Sequence, residues 1–69
     1  MEEIESIEKL PAPYGKEVEF QKVRYDNGFE LLRLRIREGK RFTMLDLDPA
    51  TANEWLRVIS AWSDTQSQE

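Results

Sequence analysis

The chain contains no cysteine and no histidine. Without cysteine there is no disulfide framework and no thiolate metal site. Without histidine the usual general base near neutral pH is missing, along with the commonest zinc ligand. Glycine and proline occur three times each. None of the glycines belongs to a phosphate-cradling loop; all three read as turn residues. No apolar run approaches the length of a membrane span. The first residues, Met-Glu-Glu-Ile-Glu, are acidic and lack the basic and apolar regions of a signal peptide. These absences point to a cytoplasmic protein with no metal, no cofactor and no catalytic constellation. Ser60 and Ser63 have no base to activate them, so an enzyme is not expected.

At 69 residues the chain is one small domain, in the range where folding buries only about 60% of the unfolded chain's surface. Self-association or tight packing is needed to support so small a core. The net charge is -4, and it is unevenly spread. Residues 1–10 carry four glutamates against Lys9, residues 11–41 hold eight basic against five acidic side chains, and residues 42–69 are again acidic. A basic middle segment of this size is more often a solvated face than a binding site.

Turn signals organise the middle of the chain. Asp26-Asn27-Gly28 reads as a three-residue hairpin loop, with Gly28 supplying the left-handed position. Tyr25 then pairs with Phe29. Val23 meets Leu31, Gln21 meets Arg33, Glu19 meets Arg35 and Glu17 meets Arg37 on one face. On the other, Lys22 meets Leu32, Phe20 meets Leu34 and Val18 meets Ile36. A one-residue slip would set Phe20 opposite Arg35 and Glu19 opposite Ile36, so the three-residue loop is preferred. Gly39-Lys40 as a two-residue loop sets Arg37 against Phe42, Arg35 against Met44 and Arg33 against Asp46, with Leu34 on Leu45 and Leu32 on Leu47. Both turns choose the same inner face for the central strand: Val18, Phe20, Leu32, Leu34, Ile36, Leu45 and Leu47.

A helix follows at once. Asp48 is a natural N-cap and Pro49 suits the first helical position, where its missing N–H costs nothing. Ala52, Trp55, Leu56, Ile59 and Trp62 form an apolar stripe, widened by Val58, that is expected to cover the inner face. The expected fold is α+β: a three-stranded antiparallel β-meander over about 16–25, 29–38 and 41–47, packed against one C-terminal helix from about Pro49 to Trp62. Residues 1–15 form a lead segment with Ile4, Ile7 and Leu10 at helix-like spacing before Pro11-Ala12-Pro13. Periodicity this short leaves helix, strand and loose cover open. Residues 64–69 are polar and expected to be disordered.

Two candidate surfaces emerge. Arg33, Arg35, Arg37, Lys40 and Arg41 with Phe42 are the ingredients of a single-stranded nucleic-acid surface, where cations meet phosphates and an aromatic ring stacks on a base. Glu17, Glu19 and Asp46 oppose three of those arginines, so ion pairing within the sheet is the favoured reading. The second candidate is an outer apolar corner, Val23, Tyr25, Phe29 and Leu31, with Met44 on the same face. A small monomer should not leave such a patch open. The lead segment, with Ile4, Ile7, Leu10 and Tyr14, is the favoured cover; another subunit is the alternative. Asp46 and Asp48, with Glu30 or Glu54, are too few carboxylates for a dedicated cation site.

The run from Ala12-Pro13-Tyr14-Gly15 through Leu32-Arg33-Leu34-Arg35-Ile36-Arg37-Glu38-Gly39-Lys40-Arg41-Phe42-Thr43-Met44-Leu45-Asp46-Leu47-Asp48-Pro49-Ala50-Thr51-Ala52 resembles a family of short bacterial proteins of unknown function. That resemblance brings no activity with it. Strands closing on Leu45-Asp46-Leu47-Asp48-Pro49, then a helix with Trp55 and Leu56, also look like the single-stranded-DNA-binding transcriptional positive-cofactor domain. This second resemblance implies a curved antiparallel sheet, a C-terminal helix and a homodimer that binds unpaired DNA. The residues themselves favour a small non-enzymatic interaction module, partnered by another protein or by its own copy, with nucleic-acid binding as the alternative.

Overall fold

The structure is a computed structural model, and it describes residues 1–66. Four strands and a helix follow in chain order: β1 (Glu3–Ala12), β2 (Lys16–Arg24), β3 (Glu30–Glu38), β4 (Arg41–Leu47) and α1 (Pro49–Gln66). The strands form one antiparallel sheet in the order β1-β2-β3-β4, with every neighbour joined by a short turn.

The two hairpins expected from the turn residues are present in the expected register. Phe20 pairs with Leu34, Glu19 with Arg35 and Glu17 with Arg37; Arg33 pairs with Asp46, Leu34 with Leu45 and Glu38 with Arg41. Gly28 and Gly39 both have positive φ, the backbone region those turns demand. The first loop is closed by Tyr25 N–H donating to the Phe29 carbonyl at 2.8 Å and by Phe29 N–H donating to Asn27 Oδ1 at 2.9 Å.

The expected three-stranded sheet is corrected to four strands. The lead segment is not a separate cover: Glu3–Ala12 is β1, an edge strand paired along β2 from Glu3↔Arg24 to Ala12↔Lys16. A bulge between Ser6 and Glu8 hides this in the sequence. Its extra residue breaks strict alternation, so Ile4, Ile7 and Leu10 fall at a spacing that imitates a helix. Ile4 pairs with Val23 on the outer face, while Ile7 and Leu10 lie beside Phe20 and Leu32 on the inner one. Pro11 is tolerated because the strand is an edge, where a missing donor leaves no ladder unsatisfied. The β1–β2 turn holds Tyr14 at φ 66 and Gly15 at φ 74.

Asp48 alone joins β4 to α1. Its Oδ1 accepts from Thr51 N–H at 2.8 Å, the N-cap bond that its position promised. The helix then continues to Gln66, beyond the expected end at Trp62 and into the segment expected to be disordered. The rest of that expectation, residues 67–69, lies outside the described residues.

The expected packing of the helix on the sheet is also corrected. No residue of α1 is buried. Trp55 is 40% exposed, Leu56 62%, Ile59 60% and Trp62 65%. Among the described residues only Val23 and Leu47 are buried. The chain is accordingly expanded: its radius of gyration is 14.2 Å, against about 11 Å for a compact domain of this length. One residue links β4 to α1, and the helix meets the sheet along β3 and β4 without burying its stripe.

Candidate interaction face

The inner face gathers its apolar side chains by strand alternation. Val18 and Phe20 come from β2, Leu32, Leu34 and Ile36 from β3, and Leu47 from β4. Together with Ala52, Trp55, Leu56 and Ile59 of α1 they line an open cleft of about 420 Å³. No charged or polar side chain lines it. A second depression, lined by Ile7, Glu8, Leu10, Phe20 and Leu32, extends the apolar surface toward β1. Sequence reasoning identified every strand residue of the cleft but expected α1 to fill it. No sequence signal separates a helix that fills this cleft from one that only walls it.

The outer face is different in kind. Arg33 Nε donates to Asp46 Oδ1 at 2.8 Å and Nη2 donates to Asp46 Oδ2 at 3.1 Å, a bidentate pair. This hydrogen bonding holds the Asp46 carboxyl below the usual range and pushes the Arg33 guanidinium up. Arg35 Nη1 lies 3.6 Å from Glu19 Oε1, and Arg37 Nε lies 3.7 Å from Glu17 Oε1. The Glu19 carboxyl is held low chiefly by the Ser6 side chain on β1, with Gln21, Lys9 and Arg35 adding to the effect. The Arg35 guanidinium also sits 4.0 Å from the centroid of the Phe42 ring, a cation–π contact. Lys40 and Arg41, at the β3–β4 turn, form no ion pair among the described residues.

The outer apolar corner is brought together as well. Val23 is fully buried, and Tyr25 and Phe29 stack with centroids 6.3 Å apart. Leu31 pairs with Val23, whose other flank is Ile4. The chain's start lies against this corner, its terminal ammonium paired with Asp26. Of the expected cover, Ile4 takes part; Ile7 and Leu10 belong to the inner face, and Tyr14 is exposed at the turn. Met44 pairs with Arg35 and is half exposed.

The carboxylates weighed for a cation are committed elsewhere. Asp46 binds Arg33, Asp48 caps α1, Glu30 accepts from Arg24 and Glu54 from Arg57. No group of three or more acidic side chains is placed to hold a metal among the described residues. No helix in the described residues is long and apolar enough to cross a membrane.

No curated protein and no solved structure matches the chain. A family model does, across residues 1–65, from the start of the sheet to the last turns of α1. With the whole of the fold's sheet inside that match, the chain belongs to the Family of unknown function (DUF6967).

Proposed function

We propose that this chain is a small non-enzymatic interaction module whose inner apolar face and helix are completed by another polypeptide. The observation that carries this reading is the juxtaposition of an all-apolar cleft with a helix stripe left in the open. Val18, Phe20, Leu34 and Ile36 form its floor, and Trp55, Leu56 and Ile59 its wall. A patch of this extent on a free monomer would cost solubility, and such patches mark contact sites for other chains. The shallow, open character of the cleft and the commitment of the nearby carboxylates to arginines and a helix cap give acid–base chemistry no support. A cytoplasmic setting belongs to the same proposal and rests on the charge-rich, cysteine-free composition.

The test is a titration with a dye that fluoresces on exposed apolar surface, run beside thermal melts over a hundredfold range of protein concentration. A face completed by a copy of the chain gives a melting temperature that rises with concentration. A face awaiting a different protein gives dye binding with a concentration-independent melt. A chain that binds no dye and melts at one temperature throughout has closed its face alone, and the reading fails.

A further inference from the structure

We infer that the occupant of the cleft is α1 of a second copy of this chain, in a two-fold dimer where each helix lies against the inner sheet and helix of the other; this rests on the reading of the inner face as an interaction surface. The chain exposes 5743 Å², whereas a compact protein of its 8.2 kDa mass would expose roughly 4,500 Å². The surplus, about 1,200 Å² per chain, is the area that an obligate homodimer hides. Two such surfaces bury about 2,400 Å² together, inside the range of about 2,000–5,000 Å² for such interfaces. The excess in radius of gyration tells the same story from the Cα positions alone.

Self-complementarity selects the second copy. A two-fold interface needs one patch to be both knob and hole, and this chain carries both. The hole is the cleft, which offers apolar contact and nothing else. The knob is the rest of the stripe on α1, where Val58 is 55% and Trp62 65% exposed and neither lines the cleft of its own chain. At 18 residues, α1 is about 27 Å long and extends beyond Ala52–Ile59, the part of it that lines the cleft. Electrostatics permit the pairing. Each chain carries -4, but no charged side chain lines the cleft, and the inner-face charges beside it meet opposite partners, Lys16 with Glu38 and Lys22 with Glu5. Like charge is therefore kept outside the contact, where salt screens it.

The experiment combines light scattering and small-angle X-ray scattering on the full chain with NMR on a mixture of isotope-labelled and unlabelled copies. A mass twice that of one chain is expected, together with intermolecular contacts from the Trp62 indole to Val18, Phe20 or Leu34. Ile59→Glu should weaken association at least about 100-fold, since it places an unpaired carboxylate in an apolar contact; in a lone chain the same exposed position would accept glutamate freely. If loss of association also unfolds that variant, the intermolecular contacts of the unmodified chain still decide. A monomer with a radius of gyration near 14 Å overturns the second copy as occupant and leaves the interaction reading standing. A monomer near 11 Å with Trp62 shielded overturns both. A doubled mass without helix-to-sheet contacts between copies overturns this arrangement.

Discussion

Arg33 and Asp46 face each other across β3 and β4 and join through two parallel hydrogen bonds, which makes this pair unlike its neighbours Arg35–Glu19 and Arg37–Glu17. Its side chains are 17% and 34% exposed, and its shortest contact is 2.8 Å; the Arg37–Glu17 side chains are 43% and 40% exposed at 3.7 Å. Bidentate geometry and partial shelter are what lift an ion pair above the near-zero worth of ordinary surface pairs. A double-mutant cycle on Arg33 and Asp46 should give a coupling of about 1 kcal/mol, and one on Arg37 and Glu17 less than about 0.5 kcal/mol. Equal couplings would mean that the geometry of the pair has no energetic consequence.

Acid should act through three carboxyls. Asp46, Asp48 and Glu19 are all held below their ordinary range in the folded chain, chiefly by hydrogen bonds from Arg33, from Thr51 and from Ser6 respectively. A carboxyl whose folded pKa is depressed contributes stability that is fully present above its unfolded value, about 3.9 for Asp and 4.3 for Glu. That contribution is lost as the pH falls through the folded value. Stability should therefore be flat in this respect above about pH 5 and decline below about pH 4. NMR titration of the carboxyl carbons checks the assignment. If Asp46 titrates at or above the ordinary aspartate value, the bidentate bond is not formed in solution.

The β1–β2 turn offers a test of backbone strain. Tyr14 is the sole non-glycine residue with positive φ among the described residues, and its side chain is almost fully exposed. A left-handed backbone costs an ordinary L-residue about 1–2 kcal/mol, which asparagine tolerates better. Tyr14→Asn should raise stability by about 0.5–1 kcal/mol. Gly39→Ala, at φ 61 with open space around the new methyl group, should lower it by about 1 kcal/mol through the same backbone effect. Loss of stability in Tyr14→Asn would reveal that the ring makes a contact worth more than the strain.

The particular residues explain what the sequence disclosed and what it withheld. Asn27-Gly28 and Gly39-Lys40 define short loops whose geometry forces one register, so the pairing of β2, β3 and β4 and the arginine–carboxylate ladder were readable residue by residue. Asp48-Pro49 marked the helix start for an equally local reason. The first strand escaped because the bulge at Ile7 replaces a period of two with a spacing of three, and because Pro11 argues against a strand unless it is known to be an edge. The open cleft escaped for a different reason. An amphipathic stripe states that a helix must bury one face, but not whether its own sheet or another chain supplies the cover. Only the direction in which α1 leaves β4 separates the two, and that is a property of geometry rather than of pattern.

The arginine-bearing face should bind no single-stranded nucleic acid. Binding of this kind needs cations free to meet phosphates and an aromatic face free to stack on a base. Here Arg33, Arg35 and Arg37 each have a carboxylate within 4.0 Å, and Phe42 carries the Arg35 guanidinium on its ring. On this surface Lys9, in register with Glu19, and the turn residue Lys40 remain without an ion pair among the described residues, and Arg41, opposite Glu38, falls on the other face. Two phosphate contacts would give a salt slope of roughly 1.4 for a single strand, too little to hold a chain of net charge -4 on a polyanion. A titration of labelled oligothymidine at low ionic strength should show no binding up to high micromolar protein. Saturable binding that falls steeply with salt, and that weakens by about 1–3 kcal/mol in Phe42→Ala, would show that the carboxylates release their arginines to phosphate.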